Sequence, residues 1–218
     1  NGGHGSGVNL ELALVKHDKD TGNPIEGITF TLYRATGLGD QPVESIYGTA
    51  QTDSTGKIHV QGLRGGRYKL VETPSVQYQG LPDIYFRVEK SETSSNHITL
   101  TKSNYTTLAD ENDYPFITDN DGEAEIIVTN TKKKLDVTAT KTWSGGPTPR
   151  PTIYFQLWRS WDDGANTQKV GSPVEVGSDN THTWSDQDEY YDNEFIYTYY
   201  VREVDVAGND FTPVNYTK

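Results

Sequence analysis

The sequence predicts an all-β protein built from two tandem sandwiches, and three observations support that fold class. Apolar and polar residues alternate over many short segments rich in Val, Ile, Thr and Tyr, which is typical of half-buried strands. Gly, Pro and Asn-Asp clusters separate these segments, and no window carries an apolar stripe with helical spacing. The pattern of the first half also recurs in the second half. Two sandwiches of one fold explain all three observations.

In the first half, each predicted strand is a period-two run that ends at turn-forming residues such as Asp53-Ser54-Thr55-Gly56. The predicted strands, in order, are Asn9–His17, Gly27–Arg34, Glu44–Thr52, Lys57–Val60, Gly66–Glu72, Ile84–Glu89, His97–Thr101 and Ala124–Asn130. In the second half the same criteria predict Leu135–Trp143, Thr152–Arg159, Pro173–Val176, Thr181–Trp184, Phe195–Val204 and a short Phe211–Tyr216.

The internal repeat sets the domain boundaries. Ile28–Leu32 and Ile153–Leu157 share the pattern I-x-F-x-L, and each begins 12 residues after a lysine that closes a strand, Lys16 or Lys141. The motif that ends at Glu72 is likewise echoed by one that ends at Glu203. We therefore expect a first domain at residues 8–132 and a second at 133–218, whose last strand is a candidate for truncation. The Gly-rich residues 1–7 are interpreted as a flexible lead or an expression remnant.

Composition excludes several classes of function. The formal charge of -12 and the pI near 4.8 argue against nucleic-acid and anionic-membrane partners, since both attract basic proteins. The chain has no cysteine, which excludes disulfides, thiolate nucleophiles and zinc–sulfur sites. It also has no apolar run of about 18 residues, so we expect no membrane insertion in this fragment.

Three strands of the first half end in a polar residue on an otherwise apolar face. The sets that share a face are Leu12, Leu14 and Lys16; Tyr68, Leu70 and Glu72; and Ile126, Val128 and Asn130. Burying a charge costs several kcal/mol unless the charge is paired or neutralised. The three residues therefore form either an ordinary buried ion pair capped by an amide, or a neutral amine beside a neutral acid.

The second alternative is a reactive arrangement. A neutral lysine amine is a nucleophile, and the Asn130 side-chain amide is an electrophile once its carbonyl is polarised. A protonated Glu72 could donate a hydrogen bond to that carbonyl and carry protons. Because the fold itself holds the groups together, a Lys16–Asn130 isopeptide cross-link could form once per molecule. Such a bond would act as a redox-insensitive counterpart of a disulfide.

These residues lie in motifs that resemble a known family, the B-type repeat domain of Gram-positive collagen adhesins and pilins. In the first half the matching motifs are Lys16-His17-Asp18 with Thr21-Gly22, Gly27-x-x-Phe30-x-Leu32, Gly66-x-Tyr68-x-Leu70-x-Glu72-Thr73-Pro74 and Ile126–Thr131. In the second half they are Lys141-x-Trp143, Arg150-Pro151, Ile153-x-Phe155-x-Leu157, Thr181–Trp184 and Tyr199-x-Val201-x-Glu203. The resemblance covers nearly all of residues 8–218.

The resemblance implies inverse immunoglobulin-like (prealbumin-like) sandwiches, display on a bacterial cell wall and isopeptide formation. The reacting roles fall on Lys16, Glu72 and Asn130, and in the second domain on Lys141 and Glu203. The acceptor there is either Asn215 or an asparagine outside this sequence. The tandem resembles an ancillary pilin that sortase joins to a backbone pilin and that contacts a host cell-surface or matrix protein. The absence of a Tyr-Pro-Lys signature favours the accessory role.

Two other classes of function stay open. An aromatic excess in the second half, with Tyr154, Trp158 and Tyr200 on the face opposite the predicted core, would suit a carbohydrate-binding module of a secreted enzyme. An enzyme acting on an external substrate is the third alternative, but no catalytic set can be picked from the sequence. The acidic turns Asp110–Asp113 and Asp119–Glu123 lack EF-hand spacing, so we expect no metal and no cofactor.

Overall fold

The computed structural model describes residues 10–37, 42–89, 97–110, 117–120 and 123–216. The chain divides into two compact units, residues 1–131 and 132–218. Within the described part, no helix has the length and hydropathy needed to cross a membrane. The Gly-rich residues 1–7 and parts of both acidic turns, at 111–113 and 121–122, lie outside the described residues.

The first unit is a sandwich of two sheets. Its strands are β1 (Leu10–Asp18), β2 (Thr29–Thr36), β3 (Val43–Gln51), β4 (Lys57–Leu63), β5 (Gly66–Glu72), β6 (Ile84–Glu89), β7 (His97–Thr101), β8 (Ile117–Asn120) and β9 (Glu123–Asn130). One sheet has the order β4-β1-β9-β8, and the other has the order β3-β2-β5-β6-β7. Alternate residues of both sheets face each other, and this alternation builds the core.

That core is apolar and closely packed. The inward residues of β1 are buried, as are the facing residues of β2 and β5, and the rings of Tyr68 and Phe86 stack with centroids 5.4 Å apart. Burying one Leu, Ile or Phe side chain contributes about 1.5–3 kcal/mol, so this layer is the main source of the domain's stability.

The topology brings three strand ends to one end of the core. Strands β1 and β9 pair in parallel, with Lys16 opposite Val128 and Asp18 opposite Asn130. Parallel strands have their carboxyl ends at the same edge, so Lys16 and Asn130 come close together. Strand β5 runs antiparallel to β2 with Glu72 opposite Phe30, which places Glu72 across the core from the end of β1.

The second unit contains β10 (Lys134–Thr140), β11 (Tyr154–Trp161), β12 (Asn166–Glu175), β13 (Thr181–Asp188) and β14 (Thr198–Val204). They form a two-stranded sheet, β10-β13, and a three-stranded sheet, β12-β11-β14. In the described part of this unit, β10 pairs with β13 alone, whereas β1 of the first unit pairs with a strand on each side. The alternate β10 residues Leu135, Val137 and Ala139 accordingly stay partly exposed.

Three sequence-based strand assignments need correction. The segment Phe211–Tyr216 forms no strand, because it ends in a turn in which Asn215 has a φ of 68°. The predicted Pro173–Val176 is the end of the longer β12, where the bulge opposite Phe155 and Leu157 interrupts the alternation. Strand β8 was missed because its sequence, Ile-Thr-Asp-Asn, contains the polar residues of a turn.

Candidate functional site

Lys16, Glu72 and Asn130 meet in the core of the first unit. Lys16 Nζ donates a hydrogen bond to Asn130 Oδ1 at 2.5 Å and lies 2.8 Å from Glu72 Oε2. Asn130 Nδ2 donates to both carboxylate oxygens of Glu72, at 3.0 and 3.1 Å. The three residues are 0%, 7% and 2% exposed. Amine, amide and carboxyl groups therefore form a closed, water-excluded triangle.

The backbone around Lys16 is held on both sides. Its amide N–H donates to the Gly56 carbonyl at 2.7 Å, and its carbonyl accepts from the Ile25 amide at 2.9 Å. Gly56 has a φ of 75°, and a Cβ on it would lie 2.4 Å from the Lys16 carbonyl oxygen, so only glycine allows this approach. The Phe30 ring, centred 5.7 Å from Nζ, covers the amine with an apolar face.

The other two side chains are fixed by the segments that follow them. After Glu72, the Thr73 amide donates to the Thr29 carbonyl at 2.9 Å, which continues the pairing of β5 with β2. The Asn130 carbonyl accepts from the Lys19 amide, and the Thr131 carbonyl accepts from the Gln79 amide, both at 2.9 Å. The acid and the amide are thus held at strand ends with little freedom to move apart.

Burial changes the pKa of the Lys16 amine. Desolvation lowers the pKa of Lys16 from 10.5 to about 8, although the hydrogen bond and charge of Glu72 oppose the shift. Burial therefore increases the uncharged, nucleophilic fraction of the Lys16 amine.

The second unit contains the matching lysine and glutamate in a more open setting. Lys141 Nζ lies 2.8 Å from Glu203 Oε2, and the two side chains are 21% and 12% exposed. The Lys141 amide donates to the Asn180 carbonyl at 2.7 Å, as the Lys16 amide does to that of Gly56. The Trp143 ring lies 4.7 Å from Nζ, and its indole N–H donates to Asn180 Oδ1 at 3.0 Å.

Asn215, the candidate acceptor in the second unit, lies on an exposed turn, where its φ is 68°. The hydrogen bond of Lys141 Nζ goes to Glu203 Oε2. Sequence reasoning also missed the supporting residues Gly56 and Asn180. The Asp53–Gly56 turn signal could have indicated the first of these, but nothing in the sequence placed that turn against Lys16.

The acidic turns add no metal site in the described part of the chain, where no cluster of three or more His, Asp or Glu residues could hold an ion. Of the predicted aromatic patch, Trp158 and Tyr200 stack at 6.2 Å, whereas Tyr154 lies by Glu175.

Comparisons with known proteins agree with this architecture. Residues 11–102 match the family model of the SpaA prealbumin-like fold domain. The chain is 32% identical to a collagen adhesin of Staphylococcus aureus over 224 aligned residues, which cover 97% of this chain and 16% of the adhesin. The chain thus spans about a sixth of that relative's length.

Among the solved structures compared, one with a TM-score above 0.5 supports this fold at low sequence identity. The Bacillus anthracis TIE protein is 17% identical with a TM-score of 0.54, and the match covers 90% of this chain and 29% of that one. A C-terminal fragment of the pilus adhesin SpaC from Lactobacillus rhamnosus GG is 16% identical with a TM-score of 0.43, covering 58% and 46% of the two chains.

The fold and the matched domain model define a class, the proteins built from prealbumin-like β-sandwich domains. More particularly, residues 11–102 match the SpaA prealbumin-like domain, and the chain as a whole is similar to a segment of a Staphylococcus aureus collagen adhesin.

Proposed function

We propose that the chain is part of a structural and adhesive subunit of a Gram-positive pilus, and that its first domain is locked by a self-made isopeptide bond between Lys16 and Asn130. The observation that carries the proposal is the buried triangle of amine, amide and carboxyl groups. The proposal includes display on the cell wall, sortase linkage to a backbone pilin and contact with a host cell-surface or matrix protein. The match to the SpaA prealbumin-like domain and the similarity to a collagen adhesin support it.

The reaction follows from the contacts. A proton moves from the Lys16 ammonium to Glu72, which leaves a neutral amine beside a neutral acid. Nζ then attacks Cγ of Asn130, while Glu72 keeps its contact with Nδ2. Glu72 carries one proton from Nζ to Nδ2, the Cγ–Nδ2 bond breaks, and ammonia leaves. One amide replaces another, so no oxidant or cofactor is needed.

The bond would stabilise the first domain by joining the ends of two adjacent strands. It would close a loop of 114 residues, and the chain-entropy model for cross-links gives about 5 kcal/mol for a loop of this size. A pull along β1 and β9 would then meet a covalent bond in place of a ladder of hydrogen bonds.

For the second domain we propose the same chemistry with an acceptor strand along the free edge of β10. In the first unit Asn130 lies opposite Asp18, two residues after the lysine. The equivalent acceptor would lie opposite Trp143 on a strand parallel to β10. Either Asn215 moves to that position, or an asparagine outside this sequence occupies it.

Intact-mass spectrometry of the purified chain tests the proposal. Each isopeptide bond removes the mass of one ammonia, and fragmentation of a proteolytic digest should find the Lys16 peptide joined to the Asn130 peptide. An Asn130→Ala variant is the matched control, and it should keep the full mass in its first domain. A wild-type mass equal to that of the plain sequence, measured after folding, would remove the cross-link from the proposal.

A further inference from the structure

A row of basic and aromatic side chains crosses the outer face of the β12-β11-β14 sheet. Lys169 lies directly opposite Trp158, and Trp158 lies opposite Tyr200, so the three residues span all three strands. Leu157, the neighbour of Trp158 on β11, is fully buried, and alternation therefore puts Trp158 on the outer face. The Trp158 and Tyr200 rings stack with centroids 6.2 Å apart and planes 12° apart.

Two cations cover these rings. Lys169 Nζ lies 5.5 Å from the Trp158 ring centre, and the Arg202 guanidinium lies 5.1 Å from Trp158 and 5.6 Å from Tyr200. We call Lys169, Trp158, Tyr200 and Arg202 the basic aromatic row. Its cation–π contacts hold both charged groups in place at the surface, which lowers the entropy cost of binding a partner.

The charge of the row is not neutralised by the described part of the chain. Lys169 and Arg202 are exposed and form no ion pair there, although the chain carries an excess of carboxylates. Asp205, on the turn beside the row, accepts hydrogen bonds from the Ala207 and Asn209 amides of its own turn. The indole N–H of Trp158 is buried under the row without a hydrogen-bond partner. The row thus offers two cations that have no ion-pair partner among the described residues.

We propose that the basic aromatic row binds an acidic saccharide through the carboxylate of a sugar residue. The carboxylate would pair with Arg202 and Lys169, and the apolar C–H face of a pyranose ring would pack on Tyr200. A neutral sugar fits less well because it has no carboxylate to pair with the two cations. Three strands about 4.8 Å apart give a row about 10 Å long, enough for two sugar rings.

The proposed site specifies a ligand for the adhesive role proposed above and rests on that role for its biological meaning. The binding chemistry itself does not depend on the cross-link of the first domain. A Glu72→Gln variant that lacks the cross-link should therefore bind the saccharide as the wild type does.

Titration calorimetry of the full chain with a tetrasaccharide of alternating glucuronic acid and N-acetylglucosamine tests the proposal. The same tetrasaccharide with its carboxyl groups reduced to alcohols is the neutral probe. We expect the acidic probe to bind at least about tenfold more tightly than the neutral one, with weaker binding at higher salt. The double variant Lys169→Gln/Arg202→Gln should lose about tenfold or more in affinity.

The control variant Lys19→Gln/Arg64→Gln removes the same charge from exposed positions of the first unit and should bind normally. Equal affinity for the acidic and neutral probes would overturn the proposal, as would equal losses in the two double variants. Binding of a glutamate-rich peptide but not of the saccharide would show that the row selects acidic protein. Absence of binding by a folded, cross-linked chain would reject the site while leaving the cross-link intact.

Discussion

Replacing Glu72 with glutamine tests the reaction with almost no change in shape. Glutamine fills the same space and can still hydrogen-bond, but it cannot take the proton from Lys16 or pass one to Asn130. We therefore expect Glu72→Gln to fold and to keep the full mass of its first domain. The unreacted Lys16 amine would then be buried without a carboxylate partner, in a site that already lowers its pKa to about 8.

The size of the stability loss follows from the structure. Losing a cross-link across 114 residues should cost about 5 kcal/mol by the chain-entropy model. For a domain of 100 to 150 residues each kcal/mol shifts Tm by roughly 3–5 °C, so the transition of the first domain should fall by roughly 15–25 °C. Differential scanning calorimetry resolves this, with intact mass recorded on the same samples.

The Asn130→Ala variant separates the bond from the buried charge. It removes the acceptor but keeps the contact between Lys16 and Glu72, so its loss of Tm should come mainly from the missing bond. A full loss of ammonia in Glu72→Gln would exclude Glu72 from the mechanism. If the wild type carries the bond and Asn130→Ala melts within a few degrees of it, the entropic argument for the bond's contribution is wrong.

Three further predictions concern the placement and the protonation of Lys16. When chain denatured before cross-linking is refolded over about pH 6 to 9.5, the rate of ammonia loss should stay level up to about pH 8 and fall above it, because the Lys16–Glu72 pair then loses the proton that Glu72 must carry. Timed mass spectrometry measures this rate, and a rate that rises across the whole range would contradict the mechanism. In Asn130→Ala the Lys16 amine keeps its lowered pKa in the folded state. Between about pH 8 and 10.5 the unfolded state therefore binds more protons than the folded state, so the unfolding free energy should increase with pH across that window. Urea titration measures this free energy. Gly56→Ala should slow cross-linking and destabilise the domain by roughly 2–4 kcal/mol, because its Cβ would lie 2.4 Å from the Lys16 carbonyl. Gly22→Ala, with a φ of 72° and no atom within 4 Å of its Cβ, controls for backbone strain alone.

The sequence predicted the candidate site best where strand alternation put an ionisable residue on an apolar face. A period of two fixes which face each residue occupies, so an ionisable residue at an apolar position was visible without coordinates. That reasoning put Lys16, Glu72 and Asn130 on inward faces, and all three are buried. It could not place the strands relative to one another, because the parallel pairing of β1 with β9 joins residues more than a hundred positions apart.

The errors share a physical cause. Strand β12 was predicted too short because its bulge breaks the alternation. A side chain of the neighbouring strand β11 supports this bulge: Gln156 donates hydrogen bonds to the carbonyls of Val170 and Gly171, both at 3.2 Å. Gly56 looked like an ordinary turn glycine, and its contact with Lys16 exists only in the folded chain. Local sequence carries no signal for a contact of that kind.

The two lysine–glutamate pairs differ mainly in how much water reaches them. Lys16 is fully buried, whereas Lys141 is 21% exposed beside a β10 strand whose inward residues are half-covered. Lys141 lacks the complete cover that shields Lys16 from water. A strand laid along the free edge of β10 would supply that cover and the acceptor in a single step. Under the proposed function, docking of that strand therefore precedes the reaction in the second domain. A strand with alanine in place of the acceptor asparagine should still bind and bury Lys141.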